Sequence, residues 1–291
     1  MANTFLKPSV IARLALSNLR HELVLANMVN RDAESEFTGG IGDTVNIRKP
    51  ASLTARRYNR GAGQPIVLDD LAESSVPVVI DTEPYSAVAV SDKELTFDIA
   101  DFNAQVLEPQ VKAVAEDVEA QVAAQVAALG AGLTIAADGS DFHAKVIEAQ
   151  RQMDVNKVPQ DGRVLALSAN HHAIALLDPD RRIVPVDASG SPDALRRALI
   201  GELYGFQVVK VLTLGAAVSA AFHRDAIALV NKAPVIPQGV TRGQSMSEGG
   251  YALRWIVDYD AAYLRDRSVV STFSGTKILD ADRAIKITTA A

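Results

Sequence analysis

The chain has 291 residues and a formal net charge of −6, with 48% hydrophobic and 22% charged residues. This composition predicts one large or two modest folded domains and excludes global disorder, and the acidic balance disfavours a broad nucleic-acid-binding face. The absence of cysteine excludes disulfides, thiolate nucleophiles and thiolate metal sites. The N-terminus lacks a signal-peptide pattern and no apolar run approaches about 18 residues, so we expect no export signal and no membrane span.

The first predicted element is an amphipathic helix near the N-terminus. Apolar residues recur at helical spacing from Ile11 to Met28, and Ser9 is the predicted N-cap. The apolar face of this helix needs a partner surface, which either its own domain or a neighbouring subunit supplies.

Residues 37–92 predict a long two-stranded ribbon. Residues 43–50 alternate apolar and polar side chains, the glycines at 61–63 supply a reversal, and residues 66–80 return as a second arm. Such a ribbon is marginally stable alone in water, and arms of about 16 residues would reach about 50 Å. We therefore expect the ribbon to bury almost nothing against its own subunit and to lie on another copy of the chain.

The two arms of the ribbon carry opposite charges. Five bases and no acid lie between residues 44 and 68, and five acids and no base lie between residues 69 and 83. Three interpretations stay open. The blocks pair within a subunit, or they match between subunits and set the docking register, or they stay solvated on the surface. The candidate residues for contacts between subunits are Arg48, Lys49, Arg56, Arg57, Arg60, Asp69, Asp70 and Glu73.

The strongest helix pattern of the chain runs from Phe102 to Leu129, with Pro109 at the start of its regular part and Gly130 after its end. From Pro109 it would span about 21 residues, or about 31 Å.

Further helices are predicted at 141–155, 171–177 and 192–200. Strands are predicted at 85–90, 206–211, 226–230 and 252–259, with a turn leading into a buried strand in 158–168 and a hairpin and a final strand in 268–287. Residues 239–250 are rich in glycine and serine and predict a loop. Because helices and strands do not alternate strictly, the predicted class is α+β.

Three patterns imitate functional sites. The triplet His223-Arg224-Asp225 resembles a kinase catalytic loop, but its spacing to Asn231 is wrong by one residue and the other kinase motifs are missing. A turn before a strand explains the triplet better.

The cluster that most resembles a metal site, as a metal-dependent hydrolase would require, consists of His171, His172, Asp178 and Asp180. Adjacent histidines on a helix point about 100° apart, which favours a structural role with Ser168 or Asn170 as the cap.

The third pattern is the basic stretch at 48–60, which could contact phosphates while Tyr58 stacks on a base. This would make the chain a nucleic-acid-binding module. The acids that follow in the sequence and the negative net charge argue against this alternative.

The segments LANMVNRD at 25–32, EF at 36–37 and GDTVNIRKP at 42–50 together resemble the major capsid proteins of tailed double-stranded DNA bacteriophages. The sequence is most similar to the branch typified by the coat protein of a short-tailed Salmonella phage. The resemblance is most specific over residues 9–60 and continues more loosely to the C-terminus. The chain is too short to contain the extra inserted domain of that coat protein.

The resemblance implies a Hong Kong 97-type fold. It places an N-terminal arm at 1–40, an extended loop at 41–82, a peripheral domain with a long spine helix at 83–160 and 251–291, and an axial domain at 161–250. It implies a structural protein without enzymatic activity or cofactor, which assembles through pentamers and hexamers into an icosahedral shell in the host cytoplasm. The virion would enclose double-stranded DNA without sequence readout, and scaffolding and portal proteins would be assembly partners. An encapsulin-type cargo compartment shares the fold and stays open as an alternative.

Some relatives in this family join a loop lysine to an asparagine of another subunit. Lys49 is the only lysine of the ribbon, and it lies beside Pro50 near the base of an arm. We therefore expect a shell without covalent links.

Overall fold

The computed structural model describes residues 15, 23–31, 44–49, 55–58, 60, 65, 66, 68, 74–93, 102–130, 132–177, 201–240, 242–248 and 251–290. The helices in these ranges are α1 (Glu108–Ala128), α2 (Phe142–Val155) and α3 (Ala169–Leu176). The strands are β1 (Thr44–Lys49), β2 (Ser74–Val79), β3 (Tyr85–Ser91), β4 (Leu133–Ile135), β5 (Arg163–Leu167), β6 (Glu202–Leu203), β7 (Phe206–Lys210), β8 (Val218–His223), β9 (Ile227–Lys232), β10 (Arg242–Glu248), β11 (Tyr251–Asp260), β12 (Arg265–Ser271), β13 (Phe273–Ile278) and β14 (Ala284–Thr289). The order of helices and strands confirms the predicted α+β class.

Within the described ranges the strands form four sheets. β1 pairs with β2, β13 pairs with β9, and a four-stranded antiparallel sheet has the order β10-β11-β12-β3. The six-stranded sheet has the order β4-β14-β8-β5-β7-β6 and contains two parallel pairs, β14 with β4 and β5 with β7. It therefore joins β4 and β14 to strands from the middle of the chain. The division into peripheral and axial domains stays a prediction.

Helix α1 is the central element of the largest hydrophobic core. Val111, Val118 and Val122 are spaced by seven and four residues and are fully buried. Pro109 lies in the first turn of the helix, where its missing N–H costs no hydrogen bond. The 21 residues of α1 confirm the predicted length, and a π-helical turn at Asn103–Leu107 precedes it. This long helix packs against β3, β12 and β13.

A second core lies between α2 and the six-stranded sheet. Phe142, Val146 and Met153 of α2 pack with Leu165 and Phe206 in a single buried cluster. Their spacing of four and seven residues along α2 places one face of the helix on the sheet. The predicted helix at 141–155, the buried strand predicted within 158–168 and the strand predicted at 206–211 are confirmed.

Two predicted elements differ from the structure. Residues 239–250 contain the strand β10, and not only a loop, because β10 pairs along its whole length with β11. Partner strands determine strand formation more strongly than the intrinsic preference of glycine and serine. The N-terminal helix does not reach Met28, because residues 26–28 form a 3₁₀ turn. Ala15 is helical and buried, and the predicted helix at 192–200 lies outside the described residues.

Candidate subunit interface

The base of the ribbon is anchored on its own subunit. β1 and β2 pair over six residues, from Thr44 opposite Val79 to Lys49 opposite Ser74. Val45 and Val78 are buried in a small cluster with residues of β9. The expectation that the ribbon buries almost nothing against its own subunit is therefore wrong at its base, because the apolar face of the ribbon lies on a buried strand.

Glycine makes this anchoring possible. A Cβ atom at Gly275 of β13 would lie 2.2 Å from the carbonyl oxygen of Val79. This distance is far below van der Waals contact, and the obstacle is backbone that no side-chain rotation relieves. β2 therefore approaches β13 as closely as it does only because residue 275 has no side chain.

Beyond its base, the ribbon is exposed wherever the structure describes it. The described strand pairing extends from Thr44 to Lys49 and from Ser74 to Val79, and Ile66 and Leu68 do not belong to a strand. Their side chains are 74% and 86% exposed, and residues 55–58 are exposed as well. A single subunit therefore buries the base of the ribbon, whereas the described apolar and charged side chains beyond the base are exposed to solvent.

The candidate contact residues fall into three groups. Arg48 and Lys49 lie at the end of β1, opposite Ser75 and Ser74, and the Arg48 side chain is exposed. The candidates beyond the strand are Arg56, Arg57 and Arg60, and all three are exposed. The candidates Asp69, Asp70 and Glu73 lie outside the described ranges. The side chains of Arg48, Arg56, Arg57 and Arg60 are exposed, and their role between subunits stays a prediction.

An acidic groove lies between α1 and the segment that enters β3. This cavity of about 470 Å³ is lined by Glu83, Tyr85 and Asp117 among others. Arg254 Nη2 lies 3.3 Å from Glu83 Oε1, and Gln121 Nε2 donates to Asp117 Oδ2 over 2.8 Å. The Tyr85 ring is largely exposed. Oriented carboxylates beside an open aromatic ring form a surface that suits an arginine side chain.

The segment 23–31 is held on α1 by one buried carboxylate. Glu119 accepts hydrogen bonds from three successive backbone N–H groups, those of Val24 (2.5 Å), Leu25 (2.9 Å) and Ala26 (3.0 Å). Burial raises the pKa of Glu119, and the three N–H donors act in the opposite direction with a smaller effect. We call this arrangement the Glu119 clamp. It satisfies donors at the start of a 3₁₀ turn that has no side-chain cap of its own.

The same segment is joined to the strands beside α1. Asn30 N donates to Ile227 O over 3.0 Å, and Asn30 O accepts from Leu229 N at 2.9 Å. The Tyr251 hydroxyl donates to Asn27 Oδ1 over 2.6 Å, and the Arg31 guanidinium lies 4.2 Å from the centre of the Tyr251 ring. The motif at 25–32 is therefore an anchor that connects the N-terminal region to the main core.

Sequence reasoning missed the Glu119 clamp, although a signal was present. Glu119 follows Ala115 by four residues and precedes Val122 by three, so it falls on the apolar face of α1. A carboxylate at such a position is buried only when it has partners. The amphipathic pattern indicated the buried face correctly, but it could not indicate which segment supplies the donors.

His171 has a structural role in the described region. His171 Nδ1 lies 2.7 Å from Ser219 Oγ and its Nε2 lies 2.6 Å from Thr289 Oγ1, and burial lowers the pKa of His171. Ser168 caps α3 as predicted, because its side chain accepts from His171 N. Asp178 and Asp180 lie outside the described ranges, and within those ranges no group of three or more acidic or histidine side chains could hold a metal ion.

The remaining sequence patterns also have structural explanations. The triplet at 223–225 ends β8 and forms a turn before β9, as predicted.

Among the described helices, none has both the length and the apolar character needed to cross a membrane.

Comparisons with solved structures identify the fold. No protein-family model and no curated protein matches this chain. It is similar to a structure from Mycobacterium phage Che8, with 23% identity and a TM-score of 0.66, over 91% of this chain and 90% of that one. The capsid structure of the cyanophage P-SCSP1u matches with 16% identity and a TM-score of 0.61, over 86% and 84% of the two chains.

A virus-like particle from Pyrococcus furiosus matches with 13% identity and a TM-score of 0.55, over 96% of this chain and 98% of that one. These similarities confirm that the chain has a Hong Kong 97-type fold. The finer assignment to the Salmonella-phage branch and the missing inserted domain stay predictions.

Proposed function

We propose that this chain is the major capsid protein of a tailed bacteriophage and assembles through pentamers and hexamers into an icosahedral shell. The observation that carries the proposal is the ribbon, which is fixed to the core at its base and exposed beyond it within a Hong Kong 97-type fold. Exposed apolar and charged side chains on a projecting segment are typical of a surface that another subunit covers.

The charges of the described surfaces support this assembly. Arg56, Arg57 and Arg60 of the loop are exposed, and the acidic groove beside α1 offers Glu83 and Asp117. We propose that the loop arginines contact acids of the adjacent subunit, with the acidic groove as the first candidate. Each exposed pair contributes only about 0–1 kcal/mol, so the effect depends on repetition around the shell.

The partners follow from the same proposal. The shell would enclose double-stranded DNA without reading its sequence, and scaffolding and portal proteins would take part in assembly in the host cytoplasm. The net charge of −6 supports a loose contact with DNA, because like charges prevent tight binding to phosphates during filling and release.

An encapsulin-type cargo compartment is the second candidate. It is favoured by the similarity to the virus-like particle, which extends over nearly the full length of both chains. The contents of purified particles separate the two candidates: nuclease-protected DNA supports the phage capsid, and a protein cargo without DNA supports the compartment.

Negative-stain electron microscopy of the purified protein tests the shell function itself. We expect closed shells, or oligomers of the size of pentamers and hexamers, because both shell candidates require them. A nucleic-acid-binding module or a metal-dependent hydrolase would give neither. A protein that stays monomeric at every concentration, with and without co-expressed phage assembly proteins, would contradict the proposal.

We expect the shell to be held together without covalent links. Lys49 is the only lysine of the ribbon and is the last residue of β1, opposite Ser74, so we propose that the loop tip has no lysine to link to another subunit. Particles boiled in detergent should therefore release single chains of 30.9 kDa on a denaturing gel. A ladder of multiples of that mass would contradict this prediction.

A further inference from the structure

A short connection leads from the ribbon into the four-stranded sheet. Residues 80–84 join β2 of the ribbon to β3, and Thr82 in the middle of this connection pairs with Ser274 of β13 as an isolated antiparallel bridge. Thr82 N donates to Ser274 O over 3.3 Å, and Ser274 N donates to Thr82 O over 3.0 Å. This bridge determines where the ribbon leaves the core.

A glutamine of α1 joins this bridge through its side chain. Ser274 Oγ donates to Gln121 Oε1 over 2.8 Å, and Thr82 Oγ1 lies 3.0 Å from the same oxygen. An amide oxygen has two lone pairs, so Gln121 can accept from both hydroxyl groups. Ser274 is fully buried, whereas Thr82 is exposed. We call Thr82, Gln121 and Ser274 the ribbon latch.

The other end of the Gln121 amide faces the acidic groove. Gln121 Nε2 donates to Asp117 Oδ2 over 2.8 Å, and Asp117 lies one helical turn earlier on α1 and lines the groove. Reversing the amide would place Oε1 beside the Asp117 carboxylate, where two acceptors repel each other. One planar group therefore connects an acid of the groove to the ribbon latch, and the acid determines its orientation.

We propose that Gln121 couples the acidic groove to the direction of the ribbon. An arginine of another subunit that pairs with Asp117 fixes the carboxylate, and the fixed carboxylate holds the Gln121 amide in the orientation that closes the latch. The ribbon of the receiving subunit is then set for its own contact with the next subunit. This inference deepens the proposed shell function and rests on it, because another subunit supplies the arginine.

The chemistry of Asp117 allows both contacts at once. A carboxylate has about four lone-pair sites, so Asp117 can accept from Gln121 and from a guanidinium group together. Asp117 is exposed in the single subunit, and an exposed side chain keeps rotational freedom that binding removes. Once the arginine has ordered the carboxylate, closing the latch costs less conformational entropy.

The second acid of the groove belongs to the same connection. Glu83 follows Thr82 directly, and its Oε1 lies 3.3 Å from Arg254 Nη2 of β11. Arg254 also donates to Ser271 Oγ over 2.9 Å, so β11 and β12 hold Glu83 in place. Glu83 and Asp117 line one cavity, and one of them is part of the ribbon connection while the other reaches it through Gln121. Both acids are therefore linked to the path by which the ribbon leaves the core.

Amide hydrogen exchange of the unassembled full chain tests the coupling. Asp117→Ala removes the acceptor of Gln121 Nε2 and touches neither Thr82 nor Ser274 in the latch hydrogen bonds. We expect the protection of the Thr82 and Ser274 amides to fall at least about fivefold, as it should in Gln121→Ala. A chain with both substitutions should lose no more protection than Gln121→Ala alone, because the two residues act through one path.

Two matched variants make this test specific. Glu116→Ala removes the exposed carboxylate next to Asp117 and should leave exchange at the latch unchanged. Asp117→Asn keeps an oxygen acceptor for Gln121 Nε2 and should stay close to the wild type. Unchanged exchange in Asp117→Ala would overturn the inference, and so would a double variant whose loss is the product of the two single losses.

A peptide with the sequence of residues 55–60 supplies the arginines in the second arm of the test. It carries Arg56, Arg57 and Arg60, and when bound it should slow exchange at the Thr82 and Ser274 amides of the wild type but not of Gln121→Ala. Faster exchange in the wild type would overturn the inference, because the arginine would then have taken Asp117 away from Gln121.

Microscopy of the wild-type protein keeps this inference separate from the proposed function. If shells form and Asp117→Ala leaves exchange at the latch unchanged, the coupling through Gln121 is wrong and the shell function stands. If the wild-type protein forms neither shells nor capsomers, the proposed function fails and the assembly role of the coupling fails with it. A peptide that does not bind counts against the loop contact with the acidic groove, and the substitutions still decide the coupling.

Discussion

Replacing Glu119 with alanine should destabilise the unassembled chain by about 3 kcal/mol or more. The substitution leaves the N–H groups of Val24, Leu25 and Ala26 without their acceptor, and each buried donor left unsatisfied costs about 1–3 kcal/mol. Urea unfolding of the unassembled protein measures the loss. Hydrogen exchange should locate it, because these three amides would lose protection before those in the middle of α1.

Two further variants make the test specific. Glu119→Gln keeps the shape of the side chain, but its amide nitrogen would face at least one N–H donor, so we expect an intermediate loss. Glu116→Ala removes an exposed carboxylate three residues earlier on the same helix, and we expect a change within about 0.5 kcal/mol. Equal effects of the substitutions at 116 and 119 would show that the clamp contributes nothing.

The Glu119 clamp also has a predicted pH dependence. Burial raises the pKa of Glu119 above its ordinary value of 4.5, so the folded chain binds this proton more tightly than the unfolded chain does. This contribution to stability is fully present below pH 4.5 and declines as the pH rises through the raised pKa. The stability difference between wild type and Glu119→Gln should therefore shrink as the pH rises. A difference that grows would show that the three N–H donors outweigh burial.

The spacing of apolar residues predicted those helices and strands that have one clear buried face. The apolar spacing along α1, with Pro109 in its first turn, predicted both the helix and its length. The strand β5 was equally clear, because all of its residues are buried in one short run. These features depend on residues close together in the sequence, and a single sequence records them directly.

Contacts between distant segments were not predictable in the same way. The sequence indicated that Val45 and Val78 lie on one face of a ribbon, but it could not show that β9 covers that face. The strand β10 was predicted as a loop, since its pairing with β11 depends on a partner and not on its own composition. The Glu119 clamp joins residues more than 90 positions apart, so only the folded chain reveals which donors the buried acid binds.

The charge blocks of the ribbon were predictable only in part. The sequence indicated a basic block between residues 44 and 68, and Arg57 and Arg60 of that block are exposed. It could not supply the opposing surface, because the acidic groove brings Glu83 and Asp117 together from separate elements. Whether the two meet depends on a second subunit, so only an assembly experiment can decide it.

Reversing the loop charges with Arg56→Glu, Arg57→Glu and Arg60→Glu should prevent shell formation while the monomer stays folded. All three positions are exposed, so the free energy of unfolding should change little, within about 0.5 kcal/mol per site. At each contact the reversal turns an attraction of about 0–1 kcal/mol into a repulsion of similar size. Because every subunit repeats these contacts, we expect the yield of shells to fall at least about tenfold by light scattering and microscopy.

Two matched variants determine whether pairing or charge alone is responsible. Replacing the same three arginines with lysine keeps the charge and should leave assembly largely intact, with a stronger sensitivity to salt because the paired planar contacts are lost. Adding Asp117→Lys to the triple glutamate variant restores opposite charges across the acidic groove and should recover part of the yield. Normal shells from the triple glutamate variant would show that the loop charges are incidental. Failed assembly without recovery would mean that the loop arginines contact acids other than those of the acidic groove.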